Sequence, residues 1–368
     1  LKNCSSVEVR RDRLKDPVDH HITMAHGAGG AVMGELIKEE ILKRLGSKGK
    51  KVEVPLEALE DSSVVEGKVL TTDSYVVKPI FFPGGDIGRL AVSGTVNDLA
   101  VMGCRPLALS LAFIIEEGLA IKELGSVLDS IAKTSKQAGV PVITGDTKVV
   151  EKGALDKLVI NTSGIGVRWP PLERNLRTVR KYRPFKGDWP LDSCLRPGDK
   201  IILSGSIGDH GIAILSFREG FGFESSLRSD VQPLNGMIRK ALEVGGIVAM
   251  KDPTRGGLAN ALSEWSEKSK VGISVEESTI PVHEGVRSAC EMLGLDPLAI
   301  GNEGKAIFGV VREKAEAVLK AIRRTKEGKE AAIIGEASKD VKGVVMRTLV
   351  GGKRIIDKPS GDPIPRIC

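Results

Sequence analysis

Strand-like and helix-like stretches follow one another along this chain in two separate runs, and the segment between the runs keeps neither period. The first run covers residues 21–168 and the second residues 197–345. In the first, "KVLTTDSYVV" and "PLALSLAFII" read as strands, whereas "DIGRLAVSGTVNDLAVMG", beginning near Asp86, and "KELGSVLDSIAKTSKQAG" read as helices. "VPVITGDTKVV" and "KLVINTSGIGVR" add two further strands. The second run opens with "KIILSGSIGDHGIAILS", passes through strands at "GISVEES" and "AIFGVV", and closes on the helix "KAEAVLKAIRRT". Such an order in each half requires an α/β (α+β) fold, mixed sheets flanked by helices, in two domains. A chain of 368 residues is long enough for two hydrophobic cores.

The flanking segments read differently. Residues 169–196, starting "WPPLERNLRTVRKYRPFKGDWPLDSC", are dense in proline and arginine and read as a linker or insertion. Their basic side chains read as a solvated surface and not as a nucleic-acid patch. Residues 1–20 form a charged lead-in without a signal-peptide core, and no apolar run reaches the length that spans a membrane. Residues 346–368, ending "KPSGDPIPRIC", carry prolines and are expected to stay extended and unpacked as a flexible tail. Five cysteines, odd in number and scattered without a CxxC pair, support neither a zinc site nor a disulfide framework, so a reducing cytoplasm is expected. Cys104 and Cys290 have apolar neighbours and read as core. Cys368 is the last residue, where packing asks for no thiol and a nucleophile can reach other molecules.

The chemistry-bearing residues gather in glycine-bearing loops and at strand ends. Asp61 ("LEDSSV"), Asp73 ("TTDSYV"), Asp98 ("GTVNDLA") and Asp146 ("TGDTKVV") are hard oxygen ligands suited to Mg²⁺ if they share one sheet edge. Taken singly, each also reads as a turn former or a helix cap. "HGAGG", His26 to Gly30, precedes a helical pattern and offers backbone N–H groups, including those of Gly29 and Gly30, to a phosphate. In "KDPTRGGLANAL", Asp252 and Thr254 read equally as caps of the following helix, while Arg255 suits a phosphate or a carboxylate. "GNEGKAIFGV" sets Glu303 and Lys305 between glycines ahead of an apolar strand. Lys148, directly after Thr147 in "GDTK", suits a transferring phosphoryl group as a point charge.

Together, "HGAGG", "EDS", "TTDSYVV", "FFPGGDIG", "GTVNDLA", "GDTKVV", "DPTRGG", "GNEGK" and the terminal "PRIC" resemble the HypE family of hydrogenase maturation factors. These are carbamoyl dehydratases of the AIR synthetase-like (PurM-like) superfamily, and the resemblance runs from about Ile22 to Cys368. It implies a two-domain AIR synthetase-like fold, ATP and Mg²⁺ as cofactors, and a homodimer built through strands of the N-terminal domain. The implied chemistry has a HypF-like carbamoyltransferase load Cys368. ATP-dependent dehydration then leaves a thiocyanate, whose cyano group passes to iron on a HypC–HypD-like complex. The resemblance makes Glu303 the general base, Lys148 the phosphate stabiliser and His26 a further phosphate contact. It assigns nucleotide binding to Asp61, Asp73, Asn97, Asp98, Asp146, Thr147, Gly29, Gly30, Thr254 and Arg255, with the four aspartates as metal ligands. From Arg354 to Cys368 the extended chain spans roughly 45 Å, enough to visit both an outside enzyme and the protein's own site. Two other readings stay open: a small-molecule ATP-dependent kinase or synthase of the same superfamily, and a nucleotide-binding scaffold without chemistry.

Overall fold

The computed structural model describes residues 21–46, 51–220, 227–361 and 363–368, so the lead-in lies outside it. A helix, α1 (Gly30–Leu36), continues through a π-helical stretch into α2 (Lys43–Leu45). Then come β1 (Val52–Val54), β2 (Ser63–Val65), β3 (Lys68–Tyr75) and a small ribbon of β4 (Phe81–Phe82) and β5 (Gly85–Asp86). They are followed by α3 (Ile87–Val101), β6 (Cys104–Glu116), α4 (Ile121–Ala138), β7 (Val142–Val150) and β8 (Leu158–Arg168). The sheet order is β1-β2-β3-β8-β6-β7. Within this sheet, among the described residues, only β6 and β7 run parallel, and α4 is the crossover that parallel neighbours need. Asp86 starts α3 where the sequence places it, its carboxylate accepting from the backbone N–H of Gly88 at 2.7 Å and of Arg89 at 3.0 Å.

The second half has the sheet order β10-β12-β9-β13-β11-β14-β15. Its elements are β9 (Lys200–Leu203), α6 (Asp209–Glu219), α7 (Asn235–Val244), β10 (Ile247–Lys251), α8 (Gly257–Ser269) and β11 (Gly272–Glu276). They continue with α9 (Glu284–Leu293), β12 (Ile307–Val310), α10 (Ala315–Arg323), β13 (Ala332–Ser338), β14 (Val344–Arg347) and β15 (Lys353–Ile356). Two clusters of buried apolar side chains hold the halves together. One joins Leu99 and Val101 of α3 to β9, β10 and β12. The other joins Leu90, Val92 and Val96 of α3 to Ile212, Val286 and Ile300. A helix buried on nearly every side is therefore the shared spine of both halves. Among the described residues no helix is long and apolar enough to cross a membrane.

The two flanking segments are more ordered than their sequences suggest. Within residues 169–196, read as a linker or insertion, Pro170–Tyr182 form α5, with proline in its first turn. Leu172, Leu176 and Val179, spaced by four and three, bury one face of it in the first cluster. Three apolar positions among so many arginines leave the helical period hard to see. In the segment read as a tail, residue 346 falls inside β14, and β15 returns to pair with it from Lys353. Beyond β15 the tail packs, with Ile364 and Ile367 in the second cluster. Cys104 and Cys290 are buried, as their neighbours suggest.

Candidate active site

Alternation along β3 turns Thr71, Asp73 and Tyr75 to one face, which α3 covers. The Thr71 hydroxyl donates to Asp98 Oδ2 at 2.9 Å, and the Tyr75 hydroxyl donates to Asp73 Oδ2 at 3.2 Å. Thr95 Oγ1 donates to the same Asp73 oxygen at 3.3 Å. Gly94 makes the arrangement possible, because a Cβ there would lie 2.2 Å from the Tyr75 hydroxyl oxygen. So Asp73, on β3, and Asp98, on α3, meet.

The second half supplies the opposite wall. Lys251 at the end of β10 pairs with Ile307 at the start of β12, so the residues just past one strand and just before the other share an edge. That register brings Asp252 beside Glu303. Asn302 ties the two loops, its side-chain amide donating to Pro253 O at 3.0 Å and its Oδ1 accepting from Gly208 N at 2.8 Å. Neither Asp252 nor Thr254 caps α8, whose first turn follows Gly256 without a side-chain cap. Both are turned to the site instead. Asp73, Asp98, Asp252, Glu303, Arg255 and Cys368 line one cavity of about 40 Å³. Asp252 was missed as a site residue because "DPT" is also capping chemistry; only the neighbouring "GNEG" loop gives it a partner.

Burial dominates the electrostatics. It raises the Glu303 carboxyl well above the ordinary carboxylate range, with Asp252, Asp230 and Asp73 adding repulsion. Asp98 and Asp252 are raised well above their range too, by burial first, then by Asp73 for the former and Asp61 for the latter. Arg255 stands against this charge. The negative charge at Cys368 is the largest influence raising its guanidinium above the ordinary value. The Asp252 Oδ2 atom is buried and has no hydrogen-bond partner among the described residues. Among the described residues no three acidic, histidine or cysteine side chains form a ready-made metal cage. Crowded carboxylates with an unmatched buried oxygen fit a hard cation that keeps water and phosphate among its ligands, as Mg²⁺ does.

Other expected residues fall elsewhere. Asp61 is not on the cavity wall; it is held by Lys251 Nζ at 2.7 Å, and burial raises its carboxyl to about 6. Lys251 also faces Asp192 and Glu264, at 3.4 and 3.3 Å. Asn97 is buried and committed to the backbone, donating to Gln232 O at 3.2 Å and accepting from Leu234 N at 2.8 Å. His26 bonds locally to Thr23. Gly29 and Gly30 do border the site: a Cβ on Gly29 would meet Arg255 at 3.0 Å, and one on Gly30 would meet Pro359 O at 2.1 Å. Asp146, Thr147 and Lys148 lie on β7, the exposed edge strand, where Lys148 Nζ sits 3.2 Å from Asp146. The four aspartates therefore do not converge within one chain. Asp73 and Asp98 do, with Asp252 and Glu303 in place of Asp61 and Asp146. A larger cavity of about 830 Å³, lined by Lys305, Asp230 and His283, holds none of them.

The tail completes the wall. Val76 N donates to Cys368 O at 3.2 Å and Lys78 N to Arg366 O at 3.1 Å, so the last residues run antiparallel beside the chain leaving β3.

Two packed α/β halves with a buried carboxylate pocket between them define an AIR synthase-type protein. The AIR synthase related N-terminal domain model matches residues 59–168 and the C-terminal domain model residues 196–347. The carbamoyl dehydratase HypE of Azotobacter vinelandii is 47% identical over 94% of this chain and 97% of its own length. A crystal structure of a HypE–HypF complex superposes with a TM-score of 0.79 at 44% identity, covering 88% of this chain and 99% of that one. A structure of HypE in complex with ATP gives a TM-score of 0.75 at 42% identity, covering 95% and 100%. The chain belongs to the HypE family of carbamoyl dehydratases.

Proposed function

We propose that this protein converts an S-carboxamide on Cys368 into a thiocyanate with ATP, as the cyanide-supplying step of hydrogenase maturation. One observation carries the reading: Cys368 lies in the same cavity as Asp73, Asp98, Asp252, Glu303 and Arg255. A kinase of free small molecules has no need of a thiol in that position. The relative solved with HypF supports a HypF-like carbamoyltransferase as donor, and the one solved with ATP supports ATP as co-substrate. A HypC–HypD-like iron complex is the proposed acceptor, and the cytoplasm the proposed site of action.

The carboxamide oxygen attacks the γ-phosphorus of ATP, ADP leaves, and one N–H proton is lost. Loss of the second N–H proton then expels phosphate and leaves S–C≡N. The sum is carboxamide plus ATP giving thiocyanate, ADP, phosphate and a proton. Glu303 is the proposed base, a role suited to a carboxyl whose burial raises its basicity. Arg255 orients the loaded tail and offsets charge gathering at the carboxamide oxygen. Asp73, Asp98 and Asp252 would hold Mg²⁺, which when bound offsets phosphate charge. Lys148 stands apart from this cavity within one chain, so its proposed contact with the transferring phosphate requires a second copy joined at the edge strand β7. That strand carries exposed Ile143 and Val149, and we propose it as the seam of a homodimer.

Intact-mass analysis after incubation with the carbamoylating partner tests the proposal. The expected result is one carbamoyl group at Cys368, losing one water when ATP and Mg²⁺ are added, and neither change in Cys368→Ala. An unchanged mass in the unmodified protein, or the same water loss in Cys368→Ala, refutes it. ATP turnover on a free substrate that survives Cys368→Ala would favour the kinase reading instead.

A further inference from the structure

The tail is held in the cavity by a small number of identifiable contacts, and one of them sits one residue from the thiol. Ile364 and Ile367 are buried in an apolar slot. Its floor is cut back at Gly301, where a Cβ would stand 2.8 Å from Ile367 Cδ1. Between those two isoleucines Arg366 takes a left-handed φ of 59°, a conformation a non-glycine residue keeps only where its surroundings impose it. His210, in "GDHG", is fully buried at the slot, with its ring edge-on to Phe82 at 5.7 Å between centroids. Its Nε2 lies 2.8 Å from the carbonyl oxygen of Ile367, and its Nδ1 lies 2.7 Å from Ser229 Oγ.

Those two contacts determine the tautomer. A carbonyl only accepts, so Nε2 carries the proton; burial lowers the His210 imidazole, and in its neutral form Nδ1 accepts from the Ser229 hydroxyl. Ser229 Oγ in turn accepts from Val231 N at 3.1 Å. The loop carrying Ser229 and Val231 is fastened to the first half: Ser229 N donates to Pro83 O at 2.8 Å and Arg89 Nε donates to Val231 O at 2.7 Å. A continuous chain of hydrogen bonds thus runs from α3, through the loop and His210, to the peptide unit that joins Ile367 to Cys368. We infer that His210 is a positioning residue that latches the tail at the Ile367 carbonyl, and that the slot recognises Ile367 as the side chain that registers Cys368 in the cavity. The inference builds on the dehydratase reading, in which the docked tail is the reacting state. The latch itself is a statement about where the tail rests.

The test is the alkylation rate of Cys368 by iodoacetamide in the full-length protein, followed by peptide mass spectrometry, with buried Cys104 and Cys290 as reporters of an intact fold. His210→Ala removes the donor and is expected to raise the Cys368 rate by about tenfold, the effect of losing one buried hydrogen bond. His210→Gln keeps an N–H at the Nε2 position and is expected to restore the rate of the unmodified protein. Ile367→Ala, which leaves His210 and the slot walls untouched, is expected to match His210→Ala. Single-turnover dehydration of the carbamoylated protein should slow in the same order of variants, with the KM for ATP unchanged. Cys368 rates in His210→Ala and Ile367→Ala within about twofold of the unmodified protein, or equal rates in His210→Gln and His210→Ala, overturn the latch. If the alkylation pattern holds while the carbamoylated protein without substitutions loses no water with ATP, the latch stands and the dehydratase reading falls.

Discussion

Lys251 is the perturbation that most directly tests how the two halves are joined beside the site. Its ammonium is buried and faces three carboxylates, Asp61 at 2.7 Å, Glu264 at 3.3 Å and Asp192 at 3.4 Å. Asp192 retains other partners when Lys251 is lost, because Lys268 Nζ and Trp265 Nε1 each reach it at 2.7 Å. Asp61 keeps only the weaker pull of Lys268. Burial already raises its carboxyl to about 6 while Lys251 pulls it down, so Lys251→Met drives it higher. Breaking a buried ion pair from one side costs about 3–5 kcal/mol, so Lys251→Met should lose stability of that order in urea unfolding at pH 8. The sign with pH follows from the raised carboxyl. The loss is complete where Asp61 must be charged, and it shrinks as pH falls towards 5 and the folded protein takes up a proton. Lys251→Met combined with Asp61→Asn should recover a large part of the loss at pH 8. A Lys251→Met variant losing under about 1 kcal/mol at pH 8, or losing the same amount at pH 5, would refute the account of Asp61 as the member of this network that depends on Lys251.

Three further outcomes are expected. Gly94→Ala puts a Cβ 2.2 Å from the Tyr75 hydroxyl oxygen, so Tyr75 must leave Asp73. Overpacking of this kind costs about 1–3 kcal/mol, and urea unfolding and single-turnover dehydration should both register it, the latter falling even where the variant remains folded. Glu60, raised to about 7 chiefly by burial and then by Asp192, binds its proton more tightly in the folded protein than at its ordinary 4.5. Stability should therefore fall as pH rises across that interval, and Glu60→Gln should flatten the fall by about 2–3 kcal/mol in pH-dependent unfolding. Ile143, 68% exposed on the edge strand β7, should be covered in a homodimer, so Ile143→Glu should shift sedimentation from dimer to monomer. A monomeric unmodified protein would remove β7 as the seam.

Much of the secondary structure was legible because its causes are local. Asp86 at the head of α3, with its carboxylate on the first free N–H groups, needs no knowledge of the rest of the chain. The same is true of α4, where Val127, Ile131, Thr134 and Ala138 make one buried stripe. Helix α5 was hidden because its buried face is only three apolar side chains wide among arginines. The tail looked unpackable because its two buried isoleucines stand among prolines, and what buries them is a slot built by residues some sixty positions and more away.

Residue chemistry alone marked "GTVNDLA", "DPTRGG", "GNEGK" and the terminal thiol as places where acids, glycines and a nucleophile are kept, because carboxylates and glycine loops carry their properties wherever they lie. Which of them meet was decided by the fold. Asp252 joins Glu303 only because β10 and β12 are antiparallel neighbours. Asp61 drops out because a buried lysine on the other half takes it. Asp146 and Lys148 stand apart because β7 is the edge of its sheet. Backbone sterics and side-chain period act over a few residues, whereas strand order and burial are set by contacts between residues far apart in the chain, and no local pattern encodes them.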